Sequence, residues 1–301
     1  MLSRLLRCLL LGQFLAGALL GWLIARQTGV SSWLAAVTAV LLPLVTSMLV
    51  SMTTGIMSRV PGANALWWRS LFGEYWAWLR FGLRQLSWAK TPPQVRLATA
   101  HPSSDASRIP VVLVHGYLCN HRVWDVMADR LRRAGHPVLG VDLEPLFTSI
   151  DLYAPLIEKA VAGLCRQTGA EKVALIGHSM GGLAIRAWMR TYGTSRVARV
   201  ITLGTPHVGT QIASRVKTDN GKQMLLRSAW LQELAASETA STRSLMRIAI
   251  SPQDNIVYSQ REQVLDGVPV TVFDGLGHLE LCFNGAVAAW VLQQLEDPTL
   301  S

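Results

Sequence analysis

Acidic side chains are scarce in this 301-residue chain: 19 Asp and Glu stand against 28 Lys and Arg, a net charge of +9 at pH 7 with His neutral. No RNA- or DNA-binding motif accompanies that excess, so it reads as attraction to anionic lipid head groups and not to nucleic acid. Cysteine is scarce too. Cys8, Cys119, Cys165 and Cys282 are scattered with no C-x-x-C pair, which excludes the spacing of a zinc site or a disulfide framework and leaves free thiols as the default. No internal repeat or low-complexity tract stands out, so the chain is neither a solenoid nor a linker.

Charge is missing altogether from one long run and nearly so from another. Leu5 to Ala25 reads LLRCLLLGQFLAGALLGWLIA with Arg7 its single charge, and after Arg26 the run SSWLAAVTAVLLPLVTSMLVS carries none. Each is about the 20 residues a helix needs to cross a bilayer. A cleaved signal peptide is the alternative for the first run, with Arg4 and Arg7 as its n-region. No good A-x-A site follows, and the second run has no place in that account. A transmembrane hairpin over residues 1–55 is therefore expected, and Pro43 is compatible with it because membrane helices carry proline more often than soluble ones. Two spans are too few for a transporter. Arg4 and Arg7 precede the hairpin, while Arg59, Arg69, Arg80, Arg84 and Lys90 follow it, and the connecting loop has only Arg26. The positive-inside rule then puts both ends and the rest of the chain on the cytoplasmic side of a bacterial-type inner membrane.

Residues 56–93 form a linker in which Trp67, Trp68, Trp76, Trp78 and Trp88 interleave with Arg69, Arg80, Arg84 and Lys90. Aromatic and basic residues mixed in this way mark a helix lying along the membrane surface. The alternative is a core helix with its tryptophans buried in the globular part. Thr91-Pro92-Pro93 then punctuates the chain, and from residue 94 to 301 apolar strand runs alternate with amphipathic helices. RIPVVLVHG, HPVLGVDL, EKVALIG, RVARVITLGTP, MRIAISPQD and VPVTVFDG read as six strands. VWDVMADRLRRAG, LYAPLIEKAVAGLCRQTG and GGLAIRAWMRTYG read as the helices between the first four. This alternation predicts an α/β fold with a mostly parallel, doubly wound sheet. The pattern lapses over residues 210–243, a helical insertion placed where it could cover a site as a lid.

The third strand runs into Gly177-His178-Ser179-Met180-Gly181 and then a helix. A strand, G-x-S-x-G and a helix in that order predict a nucleophile elbow, in which a sharp turn exposes the serine hydroxyl. The glycines are needed where strand and helix approach closely. The N–H of Met180 falls at a helix N-terminus, where it can receive an oxyanion. Serine is a weak nucleophile at neutral pH and needs a base oriented by a carboxylate. His207 and His278 are the histidines after Ser179. His278 follows the last strand and takes the role of base, while His207 has no suitably placed acid before it and falls to the pocket or its border. Asp254, just past the fifth strand, leads as the acid over Asp266, a turn residue before Gly267, and Asp274, close in sequence to His278. The first strand ends in His115-Gly116-Tyr117, where the N–H of Tyr117 would be the second oxyanion donor and Gly116 lets the backbone approach the substrate. His115, Gly116, His178 and His207 are the residues expected around the substrate.

Taken together, VLVHGY, ALIGHSMGG, LGTPHVGT, SPQDNIV and GLGHLEL resemble the α/β-hydrolase superfamily, and within it the bacterial triacylglycerol lipases and esterases. The resemblance spans about residues 109 to 290. It implies the α/β-hydrolase fold, hydrolysis of carboxylic esters with apolar acyl groups through an acyl-serine, a lipid or other apolar ester as partner, and no cofactor. LGTPHVGT is the segment that borders the acyl pocket in such lipases. The calcium-binding aspartates of some members have no identifiable counterpart, so no metal is carried over. The membrane hairpin departs from the secreted members, which carry cleaved signal peptides. An acyltransferase or thioesterase would use the same three residues, and a non-catalytic scaffold would use the same fold.

Overall fold

Strand runs that are mostly apolar belong in a sheet covered on both faces, and the central strands of this chain build such a sheet. The computed structural model describes residues 2–59, 61–62, 64–85 and 108–296. The strands are β1 (Val111–Val114), β2 (Val138–Val141), β3 (Val173–His178), β4 (Val197–Leu203), β5 (Met246–Ile250) and β6 (Val270–Val272). Their spatial order is β2-β1-β3-β4-β5-β6, and every neighbouring pair is parallel. β1, β3 and β4 are buried at each residue, which fits their central positions.

Helices α4 (Asp125–Arg133), α5 (Ala154–Thr168) and α6 (Met180–Tyr192) make the crossovers. On one face Ile157, Val161, Leu183 and Trp188 of α5 and α6 pack on Val112 and Leu175. On the other, Met127 and Leu131 of α4 pack on Val111, Leu113 and Ile176. This second face also holds α10 (Gly285–Leu295), a helix outside the strand–helix pattern read from the sequence. Asn284 caps it by accepting from the N–H of Ala286 at 2.8 Å, and Val287 and Val291 are fully buried.

Residues 210–243 contain α7 (Asp219–Gln223), α8 (Ala229–Ala236) and α9 (Ala240–Ser244). They are fastened to the body by polar contacts. Trp230 Nε1 donates to Asp151 Oδ2 at 2.9 Å, and the buried Arg186 of α6 meets Glu238 at 2.5 Å, with Arg243 on the other carboxylate oxygen at 3.3 Å.

Before the sheet come α1 (Leu2–Thr28) and α2 (Trp33–Met57), both long and apolar enough to cross a membrane. They pack antiparallel through small residues. A Cβ on Gly17 would lie 2.5 Å from the carbonyl of Thr38, and one on Gly21 would lie 2.7 Å from Cα of Ala35, so only glycine permits this approach. Thr38 Oγ1 donates to Gly17 O at 2.7 Å and Gln13 Nε2 to Thr46 Oγ1 at 3.1 Å. The outward faces, including Leu11, Leu15 and Leu19, are exposed.

α3 (Asn64–Gln85) joins the two parts, and it is two-faced. Trp67, Ser70, Glu74, Ala77 and Phe81 recur at helical spacing and are buried, whereas Trp68, Phe72 and Trp76 lie outward, Trp76 at 64 % exposure. The core-helix alternative thus describes one side of the helix, and the other side is exposed. Trp67 Nε1 donates to Gly55 O of α2 at 2.9 Å, and Phe81 packs into the α4–α10 face of the sheet. Trp88 and the Thr91-Pro92-Pro93 boundary lie outside the described residues.

Candidate active site

At the C-terminal end of β3 the chain turns sharply into α6, and Ser179 sits on the turn with φ 55° and ψ −129°. That backbone is rare for a residue with a Cβ and is stored at functional sites. The flanking glycines make room for it. A Cβ on Gly177 would lie 2.6 Å from Gly182 N, and one on Gly181 would run into the carbonyls of Val114 and His115 at the end of β1. Ser179 N donates back to Leu203 O at 2.9 Å, which fixes the turn against β4. Met180 opens α6, so its N–H belongs to the helix end whose donors have no partner within the helix.

The loop after β1 closes over this serine. A Cβ on Gly116 would lie 2.7 Å from Cβ of Ser179, so the Gly116–Tyr117 backbone runs directly against the hydroxyl-bearing residue. His115 holds the loop. Its Nδ1 donates to Gly116 O at 2.9 Å, and its Nε2 accepts from Leu143 N at 3.0 Å. Both ring nitrogens are thereby committed, and burial lowers its pKa, which keeps the ring neutral.

His278 and Asp254 come together from the loops after β6 and β5. His278 Nδ1 lies 2.8 Å from Asp254 Oδ2, and both residues are buried. Asp254 Oδ1 accepts from the N–H of Ile256 at 2.8 Å and of Val257 at 2.7 Å, so the carboxylate is held at both oxygens. Burial alone would lower the pKa of His278, but the charge and hydrogen bond of Asp254, with Glu74 behind them, raise it above the ordinary histidine value. An imidazole whose Nδ1 is held by a carboxylate presents Nε2 as the free proton acceptor. The two loops are stitched at further points: Gly275 N donates to Gln253 Oε1 at 2.6 Å, Ser251 Oγ to Leu276 O at 2.6 Å, and His278 N to Asn255 Oδ1 at 3.2 Å. Asp274 leaves the imidazole to Asp254, and Asp266 lies beside Arg243, which donates to its carbonyl.

His178 and His207 take other places. The His178 ring packs on His278 with centroids 4.6 Å apart, and its Nε2 meets His278 O at 3.1 Å. Burial and the neighbouring His278 hold its pKa well below the usual value, so it is a neutral ring packed behind that of His278. His207 is committed to Thr202 Oγ1 at 3.0 Å and to Arg186 at 3.3 Å, and burial beside that guanidinium keeps it neutral as well. It joins the buried network that anchors residues 210–243 and does not line the cavity beside Ser179. That cavity, about 200 Å³ including its open mouth, is bounded by the Gly116–Tyr117 loop, Leu143, Phe147, Tyr153 and Met180, with Asn220 contributed by α7. Leu143, Phe147 and Tyr153 follow β2 in a segment without a motif, its apolar residues interspersed with Asp142, Glu144 and Asp151.

The composition of this corner is that of acyl-transfer chemistry: a strained hydroxyl, a carboxylate-held imidazole, and backbone N–H groups at a helix end and an adjoining loop. Among the described residues no cluster of three or more His, Cys, Asp or Glu could hold a metal ion.

Residues 109–243 match the family model described as alpha/beta hydrolase fold. A triacylglycerol lipase of Burkholderia plantarii is 35% identical over 129 residues, covering 40% of this chain and 36% of that one. A triacylglycerol lipase of Pseudarthrobacter phenanthrenivorans is 36% identical over 121 residues, covering 37% of each. The matched stretch thus spans little more than a third of the length of these curated relatives. A lipase of Bacillus licheniformis, in its mature form, superposes with a TM-score of 0.58 at 18% identity, covering 68% of this chain and 98% of that one; it shares the fold.

Proposed function

We propose that this chain, an α/β-hydrolase-fold protein similar in its central segment to bacterial triacylglycerol lipases, is a membrane-anchored serine hydrolase of carboxylic esters with apolar acyl groups. The observation that carries the reading is the meeting of Asp254 and His278 beside the residue next to Ser179: His278 is 2.8 Å from the carboxylate and its ring packs on His178. In this reading Ser179 Oγ attacks the ester carbonyl as His278 Nε2 takes its proton. Asp254 stabilises the imidazolium, and the N–H groups of Tyr117 and Met180 hold the oxyanion. Collapse of the tetrahedral species expels the alcohol, which receives the proton from His278, and water then releases the acid by the reverse sequence. His115 and His178 act as neutral supports, Gly116 gives the substrate access, and His207 belongs to the frame.

The lining of Leu118, Leu143, Leu146 and Phe147 beside the Gly116–Tyr117 loop and Met180 supports an apolar acyl group on the substrate. Two apolar helices and the outward Trp68, Phe72 and Trp76 support lodging at a bilayer surface, where lipid esters are concentrated. The catalytic part is assigned to the cytoplasmic side. Digestion of that part by protease added to right-side-out spheroplasts contradicts the assignment.

The test of the reaction is hydrolysis of p-nitrophenyl esters of graded chain length by the full chain in detergent and in vesicles. Hydrolysis should be measurable for the full chain and vanish in Ser179→Ala, while undiminished turnover in that variant discards the mechanism.

A further inference from the structure

Glu74 is the one acidic residue in the first 104 positions of the chain, and it is 1 % exposed. It lies on α3, whose neighbours in sequence are aromatic and basic, yet its carboxylate is carried into the catalytic domain. Oε2 accepts from Leu279 N at 2.7 Å and from Glu280 N at 3.2 Å, the two residues after His278. On the other side of His278, a Cβ on Gly277 would lie 2.6 Å from Cβ of Glu74, so glycine is required there for the side chain to pass. The buried Glu74 Oε1 has no hydrogen-bond partner. A buried carboxylate with an unpaired oxygen is costly, and nothing in α3 itself requires one.

We propose that Glu74 is a positioning residue for His278, so that the helix emerging from the membrane anchor is an integral part of the catalytic centre. The inference rests on the reading of His278 as the base. Glu74 holds the Leu279–Glu280 backbone and thereby the height and tilt of the imidazole, and it sets a second negative charge behind the ring that becomes imidazolium. The same loops carry two more ties to the anchor. Asn255, which accepts from His278 N, donates to Thr54 Oγ1 of α2 at 3.0 Å, and Gln260 Nε2 donates both to Asp254 O at 2.7 Å and to Ser58 O at 3.1 Å. Arg69 Nη1 donates to Gly275 O at 2.7 Å. Acid loop and base loop are therefore each bound to the membrane-proximal segment.

The groups facing Glu74 are His278, Asp254, the thiols of Cys119 and Cys282, and Glu280, which itself neighbours Arg69. Burial, then the charge of Asp254, raise the Glu74 pKa to about 7 against the pull of His278 and two backbone N–H groups. Glu74 in turn helps to raise His278. Removing its charge lets the imidazole lose its proton at lower pH.

The full-length chain in detergent micelles tests this with Glu74→Gln and Glu74→Ala, assayed on p-nitrophenyl butyrate for kcat, KM and pH profile. Glu74→Ala should lower kcat by about tenfold to a hundredfold with KM within about twofold, as expected when a catalytic group is displaced and binding is not. Glu74→Gln keeps a carbonyl for the two N–H groups; it should recover most of the alkaline kcat and move the acidic limb of kcat/KM to lower pH. Titration of His278 by NMR of histidine-labelled protein reads the coupling without turnover, and its midpoint should fall in Glu74→Gln. Wild-type kcat and acidic limb in both variants, an unmoved His278 midpoint, or a loss of thermal stability alone overturns the proposal. A wild-type chain inert toward esters sinks the hydrolase reading instead, and the His278 midpoint then decides the coupling by itself.

Discussion

Ser179 and His278 are held in place by opposite means. The serine is fixed locally: β3, its turn and α6 fall within twenty residues, and the glycines that make the turn feasible lie in the same motif. The histidine is fixed from afar, by Asp254 and Asn255 across the sheet edge and by Glu74 some two hundred positions upstream. The difference shows that the geometry around Ser179 belongs to the α/β sheet itself, whereas the geometry around His278 is shared with the N-terminal helices.

Breaking the comparison at its two ends should give the largest effects. Ser179→Ala and His278→Ala should each lower kcat by about 10⁶-fold, and the double variant no further, because the residues act as one unit; additive losses in p-nitrophenyl butyrate hydrolysis would show two independent sites. Asp254→Asn keeps the shape but changes the hydrogen-bonding of the ring, and should lower kcat about 10⁴-fold with little change in thermal midpoint. On the local arm, Gly116→Ala pushes a methyl against Ser179 and should cost about a hundredfold in kcat, read with the same ester. The remote arm answers more gently. Thr54→Val removes the acceptor of Asn255 Nδ2 and should cost on the order of 1–3 kcal/mol of stability in chemical unfolding.

A pH prediction sharpens the same contrast. Glu74 has a folded pKa raised from 4.5 to about 7, so its contribution favours the fold below the unfolded value and is lost as pH rises through about 7. His278, also raised, acts in the same direction. Wild type should therefore lose on the order of 3 kcal/mol relative to Glu74→Gln between pH 4.5 and 7.5, followed by thermal midpoints across pH. Activity runs the other way, rising with pH as His278 becomes neutral.

Local order explains what could be read in advance. The six strands are apolar runs bounded by turn residues, and G-x-S-x-G between a strand and a helix specifies Ser179 from its immediate neighbours. Chain order and strand ends pair His278 with Asp254, and the structure brings their side chains within 2.8 Å. α10 was missed although Asn284-Gly285 marks its start, because its apolar run follows a loop and no strand returns after it. The substrate-side roles given to His178 and His207 rested on motif position, yet their rings turn toward His278 and Arg186, a matter of side-chain direction that spacing does not carry. Glu74 was visible as a lone acid on a basic, aromatic helix, but its target lies across the fold. Only packing joins residue 74 to residue 279.

The most direct measurement is mass spectrometry of the full chain, solubilised and treated with a fluorophosphonate, against Ser179→Ala and His278→Ala. A single adduct on the peptide holding Ser179, absent in the first variant and strongly slowed in the second, is the expected result. No adduct, or one on another serine that survives both substitutions, would contradict a reactive hydroxyl at the end of β3.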